Sequence, residues 1–146
     1  MRGRGWIAAA VFLADRITKL FAERFLRSAV TLIPGVLGLR PARNTGMAFS
    51  LLSGHPLLLC ILSLGILTGA FLALRKKKLD SVSQTGLMMM LGGAAGNLAD
   101  RLLSGYVPDM IEFLFIRFAV FNVADACLVT GCGLVIWNLF RGKENG

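Results

Sequence analysis

Two carboxylates in this chain sit where carboxylates are costly. Asp125 closes "FNVAD", residues 121–125, and heads the apolar run "ACLVTGCGLVIWNLF". A charged group at the centre of a bilayer costs at least ~2.5–3.5 kcal/mol. Asp109 lies 16 positions earlier (125 − 109) in "GYVPDMIEF", a short segment that leads into the same run and can fold back over its start. If the two acids meet in a poorly solvated site, they cannot both ionise. One proton is then shared, the pair titrates as a unit, and it can activate water while polarising a carbonyl, as aspartic proteases do. The competing reading of either acid alone is an interfacial carboxylate paired with Arg101 or Arg117.

Further polar residues interrupt apolar stretches. In "DRITK", Asp15 and Lys19 stand at i, i+4, share a helix face and read as a structural ion pair. In "RNTGMAF", Asn44 and Gly46 suit a tight turn, or a loop whose amide and backbone groups hold an extended peptide. In "GGAAGNLADR", Gly92 and Gly96 form the small-xxx-small pattern of close helix packing. There Asn97, Asp100 and Arg101 follow, either as interhelical hydrogen-bonding groups or as part of a site. The lone histidine, His55, leaves no Ser-His-Asp triad or His-rich metal site, and "GGAAG" lacks the lysine of a phosphate loop. Cys60, Cys127 and Cys132 are an odd number inside apolar runs, which reads as packing and not as a disulfide framework or a zinc site.

The elements that must position these residues are apolar. Of 146 residues, 55% are hydrophobic and 16% charged, with a mean hydropathy of +0.69. Soluble domains carry ~25% charged residues, so the excess apolar surface faces something other than water. The net charge of +8 comes from basic residues at the ends of apolar runs, not along a groove-sized patch, and excludes nucleic acid as the partner. About 20 apolar residues cross a bilayer as a helix, and four stretches are expected to do so: 6–26, 56–74, 82–100 and 119–140. The first competes with a cleaved signal peptide, but Asp15 and Arg16 stand where a small-residue cleavage site belongs.

Four spans place both termini on one side. Eight basic residues fall on that side (Arg2, Arg4, Arg75, Lys76, Lys77, Lys78, Arg141, Lys143). Eight fall opposite (Arg16, Lys19, Arg24, Arg27, Arg40, Arg43, Arg101, Arg117). Discounting Arg16, Lys19 and Arg101, which lie in or beside spans next to acids, leaves eight against five and favours cytoplasmic termini. Between the first two spans, "TLIPGVLGLRPARNTGMAFSLL" is broken by Pro and Gly and reads as a small strand-and-turn element.

Taken together and in order, "DRITK", "NTGMAFSLL", "GGAAGNLADRL", "VPDMIEF" and "FNVAD" resemble the lipoprotein signal peptidase (signal peptidase II) family of bacterial inner-membrane aspartic proteases. The resemblance implies an all-α membrane protein, one integral-membrane peptidase domain over 1–146. Its four transmembrane helices would carry a small extracytoplasmic β-cradle and a short outer helix. It implies cleavage of diacylglyceryl-modified prolipoproteins just before the lipidated cysteine. The enzyme would need no metal or other cofactor, act as a monomer among membrane lipids, and hold its site near the outer leaflet. By motif, the catalytic dyad falls on Asp109 and Asp125, substrate-binding or supporting roles on Asn44, Gly46, Asn97, Arg101 and Asn122, and structural polar roles on Asp15, Lys19 and Asp100. Met110 replaces the usual aromatic after the dyad Asp, and Glu112 stands where Asp is common. The rival expectation is a four-span proton-coupled transporter with these acids as a relay. It fits poorly, because all the acids except Asp80 and Glu144 gather toward one side and no repeat is present.

Overall fold

A computed structural model of the chain describes residues 3–46, 55–76 and 79–144. Four long helices and three strands follow one another as α1 (Gly5–Phe25), β1 (Val30–Ile33), β2 (Leu37–Asn44), α2 (Pro56–Lys76), α3 (Ser81–Ser104), β3 (Val107–Phe113) and α4 (Val123–Glu144). The helices fall on the four expected stretches, with two shifts that matter. α3 runs past residue 100 and carries Arg101 on its last turn, and α4 starts at Val123 and not at residue 119. Asp125 is therefore in the first turn of α4, nearer the helix end than a span beginning at residue 119 would place it. Among the described residues there is no short outer helix. The stretch from Met47 onward in "NTGMAFSLL" lies outside them.

α3 is the central helix and packs against α1, α2 and α4. Its glycines make that possible. A Cβ on Gly86 would stand 2.5 Å from Gly131 O of α4, and one on Gly131 would stand 2.5 Å from Gly86 O, so the two backbones meet with no room for side chains. The small-xxx-small pair does the same toward α1: a Cβ on Gly92 would meet Ala8 O, and one on Gly96 would meet the Asp15 carboxylate, each at 2.5 Å.

The helices are inverted relative to a water-soluble bundle. On α1, Leu13, Ile17, Leu20, Phe21 and Phe25 are exposed while Asp15 and Lys19 are buried. One helix stretch among the described residues, Val123–Arg141, is long and apolar enough to cross a membrane, with a mean hydropathy of 1.7, and Leu58–Leu72 is a shorter apolar stretch. α1 and α3 fail that test because the polar residues described below lie on them.

The strand-and-turn element is a three-stranded antiparallel sheet in the order β1-β2-β3. Pro34 and Gly35 make the turn between β1 and β2: Val36 N donates to Ile33 O at 3.0 Å, and Gly35 has φ 70°, the left-handed position for which Pro-Gly is suited. Pro41, unable to donate to a ladder, sits where the β2–β3 register shifts between Leu39 and Ala42. β3 is then held on its other side by Phe121. Ile111 N donates to Phe121 O at 2.8 Å, and Phe121 N donates to Ile111 O at 3.0 Å. Phe113, Phe118 and Phe121 pack ring against ring beneath this bridge. The bridge brings the start of α4 beside β3, and with it the two acids.

Candidate active site

Asn122 is the residue before α4 and caps it. Asp125 N donates to Asn122 Oδ1 at 2.9 Å, and Asn122 N donates back to Asp125 Oδ2 at 3.3 Å. This is the reciprocal geometry of a capping box, so "FNVAD" is a helix start as well as a candidate site. The carboxylate also lies at the positive end of the α4 dipole.

Asp109 is on β3 opposite Ala42 and is 3% exposed. Its Oδ1 accepts from Asn122 Nδ2 at 2.6 Å and its Oδ2 from Asn44 Nδ2 at 2.9 Å. Asn44 is fixed in turn by the Gly46 N–H, which donates to Asn44 Oδ1 at 2.9 Å. The pair forms the tight turn, and the Asn44 amide that the turn orients donates to the carboxylate. Burial first, and then the nearby charge of Asp125, raises Asp109 from the ordinary 3.8 to about 6, against the opposing pull of the Asn44 and Asn122 donors.

Asp125 Oδ1 accepts from Asn97 Nδ2 at 2.8 Å. Asn97 Oδ1 accepts from Lys19 Nζ at 2.8 Å and from Asn122 Nδ2 at 3.4 Å. Lys19, 1% exposed, also donates to Asp15 Oδ2 at 2.6 Å and to Asp100 Oδ2 at 2.7 Å. All three ammonium hydrogens are thus used. The Asp15–Lys19 pair is present as the spacing implied, but it is part of a larger cluster. Arg16 pairs with the other Asp100 oxygen, and Asp15 Oδ1 accepts from Ala124 N of α4 at 2.9 Å. Arg16, set aside in the charge count because it stands next to acids, does pair, and its partner is Asp100 of α3.

Arg101 does not pair with either acid of the candidate dyad. It donates to Gly46 O at 2.8 Å, tying α3 to the end of β2, and to Asn97 O at 3.4 Å. Its Nε is buried and has no partner among the described residues. Arg117 is exposed, and among the described residues no ion pair reaches Asp109 or Asp125. Met110 is buried, so the position of the missing aromatic is filled by a flexible apolar side chain. Glu112 pairs with Arg40 at 3.1 Å.

Two carboxylates, one raised in pKa, held by amide donors from three elements and with no ion pair among the described residues, form a site suited to acid–base work. The fold that carries it is shared with solved bacterial membrane enzymes. One aligns with a TM-score of 0.93 at 29% identity, covering 99% of this chain and 92% of that one. The profile of the signal peptidase (SPase) II family matches residues 7–141. The lipoprotein signal peptidase of Thermosynechococcus vestitus is 38% identical over 94% of this chain and 91% of its own length. That of Nostoc sp. is 43% identical over 86% and 82%. The chain belongs to the signal peptidase II family and is a peptidase. The transporter expectation finds no support in these likenesses.

Proposed function

We propose that this chain is an aspartic endopeptidase that removes the signal peptide from diacylglyceryl-modified prolipoproteins, cleaving just before the lipidated cysteine, with Asp109 and Asp125 as the dyad. The observation that carries the reading is the arrangement of the two acids. Each accepts from an asparagine amide, Asn122 donates to both, and no ion pair neutralises either among the described residues. The relatives that share the chain's length are lipoprotein signal peptidases.

The raised affinity of Asp109 for a proton makes it the natural holder of the shared proton. Asp125, anchored by Asn97 and the α4 cap, takes a proton from water as that water attacks the scissile carbonyl. Asp109 donates a hydrogen bond to the carbonyl oxygen as charge develops there. When the carbon–nitrogen bond breaks, the proton passes to the departing amine of the lipidated cysteine. Asn44, Gly46, Asn97, Arg101 and Asn122 hold the dyad and the neighbouring backbone, while Asp15, Lys19 and Asp100 anchor α1, α3 and α4 to one another.

In this reading all four helices cross the inner membrane of a bacterium as one domain, with cytoplasmic termini and the dyad near the outer leaflet. The outward-facing apolar side chains of α1, α2 and α4 support it. The acyl chains of the substrate stay in the bilayer against those faces, and the enzyme acts as a monomer that needs no metal.

The test is cleavage of a synthetic diacylglyceryl-cysteine prolipopeptide by purified protein in detergent with EDTA, comparing wild type with Asp109→Asn and Asp125→Asn. Cleavage by wild type and near-total loss in both folded variants is expected. An intact substrate with wild type, or either variant keeping most of its activity, overturns the assignment.

A further inference from the structure

A groove of about 710 Å3 opens beside Asp109, within the size range of ligand pockets. Every lining residue lies on β2, on β3 or in the 114–120 connection, outside the four helices. Three arginines, Arg40, Arg43 and Arg117, face it against two acids, Asp109 and Glu112. Arg40 is cancelled by Glu112 at 3.1 Å. The Arg43 guanidinium rests 4.9 Å from the Tyr106 ring centroid, a contact that orients the cation without neutralising it. Neither Arg43 nor Arg117 makes an ion pair among the described residues, so the groove next to the dyad is net positive.

We propose that this groove receives the residues that follow the scissile bond and selects acidic side chains there. The inference rests on the peptidase reading above and names a preference within it. Of the three arms that meet at the scissile bond, two are apolar: the signal sequence with its hydrophobic core and the acyl chains. Both remain in hydrocarbon. The third arm, the chain after the lipidated cysteine, must leave the membrane, and the groove on the sheet is the polar exit adjoining Asp109. Arg43 stands opposite Pro108, next to Asp109, and Glu112 lies three residue steps beyond Asp109, about 10 Å of extended chain at ~3.3 Å per residue. The charged lining therefore meets the second to fourth residues of the product, and its sign favours Asp and Glu and disfavours Lys and Arg.

Three diacylglyceryl-cysteine prolipopeptides that differ only in carrying Asp-Asp, Ser-Ser or Lys-Lys after the cysteine test this, in uncharged detergent at low salt. The expected order of kcat/KM is Asp-Asp, Ser-Ser, Lys-Lys, with about a tenfold span from two exposed charge contacts. High salt should compress the span, and the double substitution Arg43→Gln with Arg117→Gln should reduce it to about twofold or less. Equal cleavage of the three peptides, as a groove filled by lipid headgroups would give, overturns the preference and leaves the peptidase reading intact. A span that survives the double substitution does the same. Failure to cleave any of the three overturns both.

Discussion

Lys19 Nζ on α1 donates to Asn97 Oδ1 on α3 at 2.8 Å, and this contact decides which end of the Asn97 amide faces Asp125. An ammonium has donors only, so it turns the amide oxygen toward itself and leaves Nδ2 to donate to Asp125 Oδ1 at 2.8 Å. The same oxygen accepts from Asn122 Nδ2, which donates to Asp109 Oδ1 at 2.6 Å. A single buried lysine thus orients amide donors toward both carboxylates.

Truncating Asn97 should therefore damage turnover more than binding. Asn97→Ala removes a hydrogen bond to a charged group, worth ~1.5–3 kcal/mol, and should lower kcat about 10- to 100-fold with a smaller change in KM. Steady-state kinetics on the lipidated peptide check this. A raised KM at unchanged kcat would mean that Asn97 contacts substrate and does not position Asp125.

Removing the lysine is a stability experiment. Lys19→Met leaves Asp15, fully buried, without its cation and takes from Asp100 one of its two. Breaking a buried ion pair from one side costs ~3–5 kcal/mol. Thermal denaturation in detergent should show a Tm well below wild type.

Activity should depend on pH through the dyad. Asp109 is raised to about 6, so the proton it shares is lost above that range and cleavage should decline on the alkaline side. Stability has its own sign. The folded state holds the Asp109 proton more tightly than the unfolded chain, whose value is the ordinary 3.8. This stabilising contribution is full below 3.8 and is lost as pH rises through about 6. Asp109→Asn should flatten that slope, so variant and wild-type Tm values should approach or cross between acid and neutral pH. Parallel Tm curves would count against a buried, proton-binding Asp109.

The glycines of α3 should tolerate no side chain, unlike those of α2. A Cβ on Gly93 would stand 2.6 Å from Ala124 O and 3.1 Å from Leu128 Cγ, so Gly93→Ala must push away the first turn of α4 with Asp125 on it. Overpacking of this kind costs ~1–3 kcal/mol, and activity should fall with it. Gly69 on α2 has nothing within 4 Å of such a Cβ. Gly69→Ala should be neutral or stabilise by up to ~1 kcal/mol. Paired measurements of Tm and cleavage on the two variants separate these outcomes.

At the far end of α3, Asp80 accepts from Val82 N at 2.7 Å and Ser83 N at 3.1 Å as the helix cap. Those backbone donors hold its carboxyl below the ordinary value, so the cap is lost on acidification. Asp80→Ala should cost ~0.5–2 kcal/mol and leave kcat unchanged, since no contact links Asp80 to the dyad among the described residues.

Much of this protein is determined locally and was legible in its order of residues. The four helix stretches follow from apolar runs, the hairpin of β1 and β2 from Pro34-Gly35, and the candidate acids from carboxylates set in apolar surroundings. The start of α4 was legible too, but was read too far upstream. Asn122 and Asp125 spell a capping box, and the hydropathy of residues 119–122 hid it. What tertiary structure alone decided is who meets whom. Asp109 and Asn44 are 65 positions apart, and Lys19 and Asp100 are 81 apart. No periodicity or propensity relates residues at such separations. They meet because β3 is clamped between β2 and Phe121, and because the glycines of α3 let α1 and α4 approach to backbone contact. The same packing turned Arg101 toward Gly46 and left both acids without an ion pair among the described residues, a choice between partners that the sequence had left open.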